Sequence, residues 1–291
     1  MNLKIKLKQN LYIIVILICS FIIYTNFNFK SSNSMKTISI KNDMIVHFIN
    51  VGQGDSTLIQ VNNKNLLIDS GPKESRNNLL NYLESLNIKT LDFVIATHPH
   101  EDHIGNMDKI IKKYTILNFY APKVESTTNT FEKMIDALKS KGLKINVIKR
   151  GVNSINLGKN TKVTIFTPIE NHYENLNNYS PVIKIEYGEI SFLFTGDAEK
   201  EIEKTLLLKK ENLKSDVLKV GHHGSSTSTT ESFLKEVNPS IAIISVGDFN
   251  SYNHPNESVL KRLEKNNTTI YQTNKNNTII IGSNGKSLTK Y

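Results

Sequence analysis

Cysteine is almost absent from this chain of 291 residues: one, Cys19, stands in the N-terminal segment, and none follows residue 40. A disulfide framework is excluded beyond that point, and a metal site there cannot draw on thiolate. A cysteine nucleophile is excluded with it. No Walker loop, dinucleotide fingerprint or kinase motif set occurs, so a nucleotide cofactor has nothing to bind to. No solenoid-length repeat appears either. Acidic residues are missing from residues 1–40, which carry Lys4, Lys6, Lys8, Lys30 and Lys36. The formal net charge of +9 therefore shrinks over residues 41–291, which hold 31 bases against 27 acids, net +4. That mild excess is weak evidence for a nucleic-acid partner.

What is present begins with an apolar run over 11–24, extended by Phe27 and Phe29 and preceded by three lysines. It reads as a secretory signal peptide or an uncleaved membrane anchor. No Ala-x-Ala-like cleavage site follows, which favours the anchor. The strictly apolar part falls a little short of the about 20 residues that span a bilayer, and the two phenylalanines lengthen it. The basic N-terminus stays in the cytoplasm under the positive-inside rule. The expectation is a single-pass protein of the cell membrane with its domain outside, or a secreted one if the segment is cleaved. The absence of later cysteine agrees with that location. Cys19 reads as a small apolar residue of the segment, since Ile18 before it fits a lipid-modification site poorly. The expected organisation is a cytoplasmic tip and anchor over 1–29, a Ser/Asn-rich linker over 30–41 and one domain over 42–291.

Within the domain, strands are expected over 44–51, 56–61, 65–69, 91–96, 116–120 and 144–148. The second half adds 162–166, 182–187, 190–194, 216–220, 241–245, 269–272 and 278–281. Helices are expected over 76–86, 105–113, 130–141, 198–208, 231–237 and 257–265. This order suits an α/β protein with two sheets and helices on their outer faces. His47 lies inside an apolar strand and reads as structural.

The chemistry concentrates in Thr97-His98-Pro99-His100-Glu101-Asp102-His103, where three histidines and Asp102 follow a short apolar strand. Imidazole and carboxylate suit zinc and similar first-row ions. Along one turn after a strand, these side chains can face a pair of neighbouring metal ions.

His98-x-His100-x-Asp102-His103 resembles the signature of the metallo-β-lactamase-fold hydrolases. The flanking motifs narrow the likeness: Phe48-Ile49-Asn50-Val51-Gly52-Gln53-Gly54-Asp55-Ser56, Leu67-Ile68-Asp69-Ser70-Gly71, Phe194-Thr195-Gly196-Asp197 and Leu218-Lys219-Val220-Gly221-His222-His223-Gly224-Ser225. Together they look like the hydrolase domain of the ComEC-type competence proteins, from residue 44 onward. The resemblance implies an αββα four-layer sandwich and two divalent ions, zinc foremost and manganese as the alternative. It implies His98 and His100 as ligands of one ion, Asp102 and His103 as ligands of a second, Asp197 as a bridge, and His222 completing the second site. Two such ions acidify a shared water and clamp an attacked phosphoryl or carbonyl group.

The chain departs from the superfamily pattern once. A further histidine for the first ion is expected shortly before Asp197, but Asn177-Asn178-Tyr179-Ser180-Pro181 holds none, and His172 stands too early. The first site is then weakened, completed by water, or filled by Asn178 or Ser180; manganese accepts such oxygen ligands. Around the ligands the alternatives stay open. Asp69 either orients a ligand histidine or caps a turn, and Asp55 either supports the site or fixes a loop. His223 either protonates a leaving group or bonds the backbone. Ser225-Ser226-Thr227-Ser228 is either a phosphate cradle or a plain loop. His254 is expected near the site for substrate binding or proton transfer, and Asp102 and His223 complete the expected catalytic set.

The implied function is an extracytoplasmic metal-dependent hydrolase of phosphodiesters, related to DNA-uptake proteins and acting on DNA. His98-Pro99-His100-Glu101-Asp102-His103-Ile104-Gly105-Asn106 is also similar to cell-wall phosphorylcholine esterases, which makes a wall polymer such as teichoic acid the alternative substrate. A non-catalytic, metal-stabilised binding module is the third reading.

Overall fold

Strands that read as unbroken apolar runs are buried on both faces. In Leu66-Leu67 and Phe93-Val94, successive residues enter different hydrophobic clusters, as period-2 geometry requires. The same alternation separates Val217 from Leu218 and Ala242 from Ile243. The structure, a computed structural model, describes residues 43–248 and 250–291. The expected anchor over 1–29 and linker over 30–41 lie outside the described residues. Among those described, no helix is long and apolar enough to cross a membrane.

Strands β1 (Met44–Phe48), β2 (Thr57–Val61), β3 (Lys64–Ile68), β4 (Thr90–Ile95), β5 (Thr115–Ala121) and β6 (Ile145–Val147) open the chain. β7 (Thr161–Ile165), β8 (Ile183–Tyr187), β9 (Ile190–Phe194), β10 (Val217–Lys219), β11 (Ile241–Ile244) and β12 (Thr269–Gln272) form the second half, and β13 (Ile279–Ser283) and β14 (Leu288–Lys290) close it. One sheet runs β14-β13-β1-β2-β3-β4-β5-β6 and the other β12-β11-β10-β9-β8-β7. The C-terminal hairpin thus returns to pair with β1, Phe48 opposite Ile279. Helices α1 (Arg76–Ser85), α2 (Met107–Lys113) and α3 (Asn129–Ser140) send Leu79, Leu83, Ile110, Ile111, Met134 and Leu138 into a cluster with Leu58, Leu67 and Val94 of the first sheet. Helices α4 (Lys200–Leu208), α5 (Glu231–Val237) and α6 (Glu257–Lys265) do the same for the second sheet through Ile202, Leu206, Phe233, Val237, Val259 and Leu263. A third cluster, with Val46, Phe48, Ile59, Ile95, Ile185, Phe192 and Phe194, draws on both sheets. The result is the αββα sandwich.

The helix ends follow from local chemistry. Thr128 and Thr230 cap α3 and α5 by accepting the backbone N–H of Phe131 and Phe233, and Asn238 ends α5 in the left-handed region. The helix expected over 105–113 is corrected: one turn at Glu101–Ile104 is followed by α2 from Met107. The break falls where Asn106 donates its amide to the carbonyls of Ser70 and Pro72, which pins the chain to the loop after β3. β14 lay beyond the expected strands, because its short sequence carries no apolar run. His47 is structural as expected: its Nε2 donates to Gln60 Oε1 at 3.1 Å, so its Nδ1 accepts from the Tyr82 hydroxyl at 2.8 Å.

Candidate metal centre

Two parallel strand pairs build the centre. β3 runs parallel to β4 and β9 parallel to β10, so their C-terminal ends lie side by side in each sheet. Loops leaving such ends are where α/β folds place ligands. Asp69 follows β3, the histidine loop follows β4, Asp197 follows β9, and His222 and His223 follow β10. Gly54 presses the loop after β1 against the histidine loop. Its φ is +151°, and a Cβ there would meet the Asp102 carbonyl oxygen and Pro72. The Asp55 N–H donates to that same carbonyl at 3.1 Å.

Asp197 is the hub. Its Oδ2 lies 3.2 Å from His103 Nε2, 3.6 Å from His223 Nε2, 3.7 Å from His222 Nε2 and 3.8 Å from His98 Nε2. His98 Nε2 and His100 Nδ1 converge to 3.0 Å. Asp102 Oδ2 lies 3.2 Å from His223 Nε2 and 3.9 Å from His103 Nε2. All six expected ligands therefore meet at one point. His223 joins them, and it is His223 rather than His222 that stands beside Asp102 and His103. Asp55, His103, Asp197 and His223 also bring one donor atom each within 4.8 Å of one another. Asp55 Oδ2 pairs with Lys219, whose Nζ is 2.6 Å away, while its Oδ1 is buried without a hydrogen-bond partner.

The donors fit a cation. His103 Nε2, His223 Nε2 and Asp197 Oδ1 are buried without a hydrogen-bond partner, a costly state unless something positive is shared between them. The opposite nitrogens are all engaged. His103 Nδ1 donates to Asp69 Oδ2 at 2.8 Å, and His223 Nδ1 donates to the Ser245 carbonyl at 2.9 Å. His98 Nδ1 lies 3.1 Å from Thr97 Oγ1 and 3.3 Å from Ser180 Oγ, and His222 Nδ1 lies 3.3 Å from Glu199 Oε1. Such partners fix which nitrogen faces a metal. Electrostatics agree. Burial would raise the Asp197 carboxyl, yet His103, His223 and His98 hold it well below the usual carboxylate range. Burial also opposes charge on His103, but Asp197, Asp102 and Asp69 lift its imidazole well above the usual value. The cluster concentrates demand for positive charge at its middle. Nitrogen and oxygen donors without sulfur suit zinc and manganese alike.

The open alternatives now have placements. Asp69 orients: at φ +59° it accepts the Thr97 N–H (2.8 Å), the Thr97 hydroxyl (2.7 Å) and His103. His223 donates Nδ1 to the Ser245 carbonyl and turns Nε2 toward the centre, 3.2 Å from Asp102 Oδ2. Asn178 is turned to Glu201 and Ser180 donates nothing to the centre; Ser180 Oγ accepts from the Asp197 N–H and backs His98. Ser225, Thr227 and Ser228 spend their hydroxyls inside the fold, on Thr227, Glu199 and the Ala198 carbonyl respectively. His172 lies elsewhere, beside Tyr179. His254 is at the centre's edge, its ring 5.4 Å from that of His222. Burial, with His222 and His223 nearby, lowers it to about 4. Thr97 and Glu199 were not expected as site residues. The Thr-His junction and an acid two residues past Asp197 are the only traces they leave in sequence.

A cavity of about 660 Å³ opens on His100, Asp102, Asp197, His222, His223 and His254, a size that fits small-molecule or polymer-segment substrates. A family model described as "Metallo-beta-lactamase superfamily" matches residues 49–248. "ComE operon protein 3" of Bacillus subtilis (strain 168) is 34% identical over 252 residues, covering 80% of this chain and 32% of that protein. "Competence protein ComA" of Neisseria gonorrhoeae is 27% identical over 235 residues, covering 80% of this chain and 31% of its own length. The chain spans about a third of the length of these curated relatives. Among solved structures, the metallo-beta-lactamase fold protein YhfI from Bacillus subtilis superposes with a TM-score of 0.56 at 15% identity, covering 83% of this chain and all of that one. That likeness concerns the fold. The family match is the stronger finding, because its span carries every strand-end loop that meets at Asp197, and by it the chain belongs to the metallo-beta-lactamase superfamily.

Proposed function

We propose that this chain is a metal-dependent phosphodiesterase that uses two divalent ions and takes DNA as its substrate. The observation that carries this is the convergence of four imidazoles, those of His98, His103, His222 and His223, on the buried carboxylate of Asp197, with His100 beside His98 and Asp102 beside His223, at an open cavity. Asp102, His103 and His223 would hold one ion, His98 and His100 the other, with Asp197 between them. When bound, the two ions supply an acidified water as nucleophile and a clamp on the attacked phosphoryl group. The chain's own residues do the rest. Asp69, Ser245, Ser180 and Glu199 keep the ring nitrogens aimed inward. The lowered proton affinity of His254 keeps its ring neutral at pH 7, so it offers an N–H to a substrate oxygen without adding charge. Tyr252, exposed and stacked 5.7 Å from His254, offers a face to a nucleobase. The name of the gonococcal relative, a competence protein, supports DNA over a wall polymer. The apolar run after the N-terminal lysines supports placing the domain outside the cytoplasm, on a membrane anchor.

The test is turnover of bis(p-nitrophenyl) phosphate by the full chain, stripped of metal and then given zinc or manganese, beside Asp102→Ala. Metal-dependent turnover lost in the variant is the expected result, followed by DNA against teichoic acid as substrates. A protein that takes up metal and cleaves none of the three substrates would sink the proposal in favour of a binding module.

A further inference from the structure

We infer that the tandem histidines are divided between two metal ions: His223 serves the ion beside Asp102 and His103, and His222 completes the ion site of His98 and His100. This rests on the two-ion reading above and assigns the donor which that reading leaves out. His98, His100 and a shared Asp197 make three donors, one fewer than a tetrahedral site takes.

The backbone makes the division possible. In an extended strand two neighbouring side chains point to opposite faces, and one imidazole would leave the centre. Here His222 and His223 both adopt left-handed conformations, φ +49° and +53°. The chain curls within two residues and both rings stay at the centre, 6.1 Å apart and inclined by 67°. Both Nε2 atoms reach Asp197, at 3.7 and 3.6 Å. Beyond Asp197 they part company. His223 stands 3.2 Å from Asp102, whereas the other carboxylate within ion-pair reach of His222 is Glu199.

The spacing suits shared ligation. Donors at bond lengths of 2.0–2.2 Å on a tetrahedron stand roughly 3.4 Å apart. The edges around the first site are 3.0 Å (His98 to His100), 3.8 Å (His98 to Asp197) and 3.7 Å (Asp197 to His222). His222 also carries the support a ligand histidine needs. Its Nδ1 faces Glu199 Oε1 and Thr227 Oγ1, both at 3.3 Å, which leaves Nε2 for the ion. Glu199 is itself held by Asn177 Nδ2 and Thr227 Oγ1, both at 3.1 Å. The segment 177–180, which has no histidine to give, thus braces the carboxylate that aims His222.

The experiment counts metal in the full chain, reconstituted with zinc and freed of excess, by mass spectrometry and by calorimetric titration. Wild type is expected to hold two ions, and His222→Ala and His98→Ala one each. The double variant His98→Ala/His222→Ala should still hold one, since both changes strike the same site. His103→Ala/His222→Ala should hold none. Glu199→Gln, which leaves all ligands in place, should weaken one ion about 10- to 100-fold and spare the other. Two tightly held ions in His222→Ala would overturn the assignment, as would a double-variant pattern in which His222 behaves with His103. A wild type that holds a single ion would overturn both the assignment and the two-ion reading. Because the readout is metal content, two ions split as described in a protein that cleaves nothing would support the assignment while sinking the phosphodiesterase.

Discussion

Asp69→Asn is the sharpest probe of how the centre is held. The substitution keeps size and shape, and the amide oxygen can still accept the Thr97 N–H at the Oδ1 position. At the Oδ2 position a donor replaces an acceptor, facing the Thr97 hydroxyl at 2.7 Å and His103 Nδ1 at 2.8 Å. The hydroxyl can turn; the imidazole cannot. His103 must lose its partner or move its proton to Nε2, the nitrogen that faces Asp197, where a proton blocks a metal. Two hydrogen bonds to a buried carboxylate carry about 1.5–3 kcal/mol each. Burial pushes the Asp69 carboxyl up, so a neutral amide recovers part of this, and the expected net loss is about 2–4 kcal/mol. For a domain of this size that lowers Tm by about 5–15 °C. Metal affinity should fall about 10- to 100-fold, the usual effect of removing a ligand's orienting partner. Calorimetry of the metal-free protein reads the first quantity and competition against a chromophoric chelator the second. A variant with wild-type Tm and wild-type metal affinity would refute the reasoning, because it would mean that Asp69 caps a turn and does nothing for His103.

Three further outcomes follow from other parts of the structure. Lys219→Met strands the buried Asp55 carboxylate that Lys219 pairs at 2.6 Å, and should cost about 3–5 kcal/mol in urea unfolding, with much of it restored by adding Asp55→Asn. His47, lowered from 6.5 to about 4 by burial, is neutral in the fold, so the unfolded chain takes its proton first. Stability attributable to it should fall as pH drops from 6.5 to about 4, by about 3 kcal/mol in all, and His47→Gln should flatten that part of the pH–stability curve. Gly54→Ala forces a Cβ into the Asp102 carbonyl and Pro72; it should destabilise by about 1–3 kcal/mol and lower metal uptake, both visible in a melting series with and without zinc.

Much of this architecture could be read from residue order, and the reasons are local. The runs Leu66-Leu67-Ile68 and Phe93-Val94-Ile95 declare strands buried on both faces. The helices at Glu231–Val237 and Glu257–Lys265 were expected with those bounds, and the structure caps them with Thr230 and Asn256. His98, His100, Asp102, His103 and Asp197 were legible through the family resemblance that their motifs carry, and the structure sets them in the segments that directly follow β4 and β9. His222 and His223 mark where that logic stops. They are the same residue type in adjacent positions, and what holds both rings at the centre is the positive φ of both, a property that neither side chain announces. In two successive β-region residues His223 would face one way and His222 the other, and the natural assignment would keep only one of them. The left-handed pair keeps both, at a strain of about 1–3 kcal/mol for such residues. Glu199 and Ser245 grip the outward nitrogens of the two rings, at 3.3 and 2.9 Å. The contacts that over-determine this turn are the same ones that aim both rings at Asp197. Strain and ligand geometry therefore have one cause, and relaxing the turn at Gly221 or Gly224 would cost the centre two donors at once.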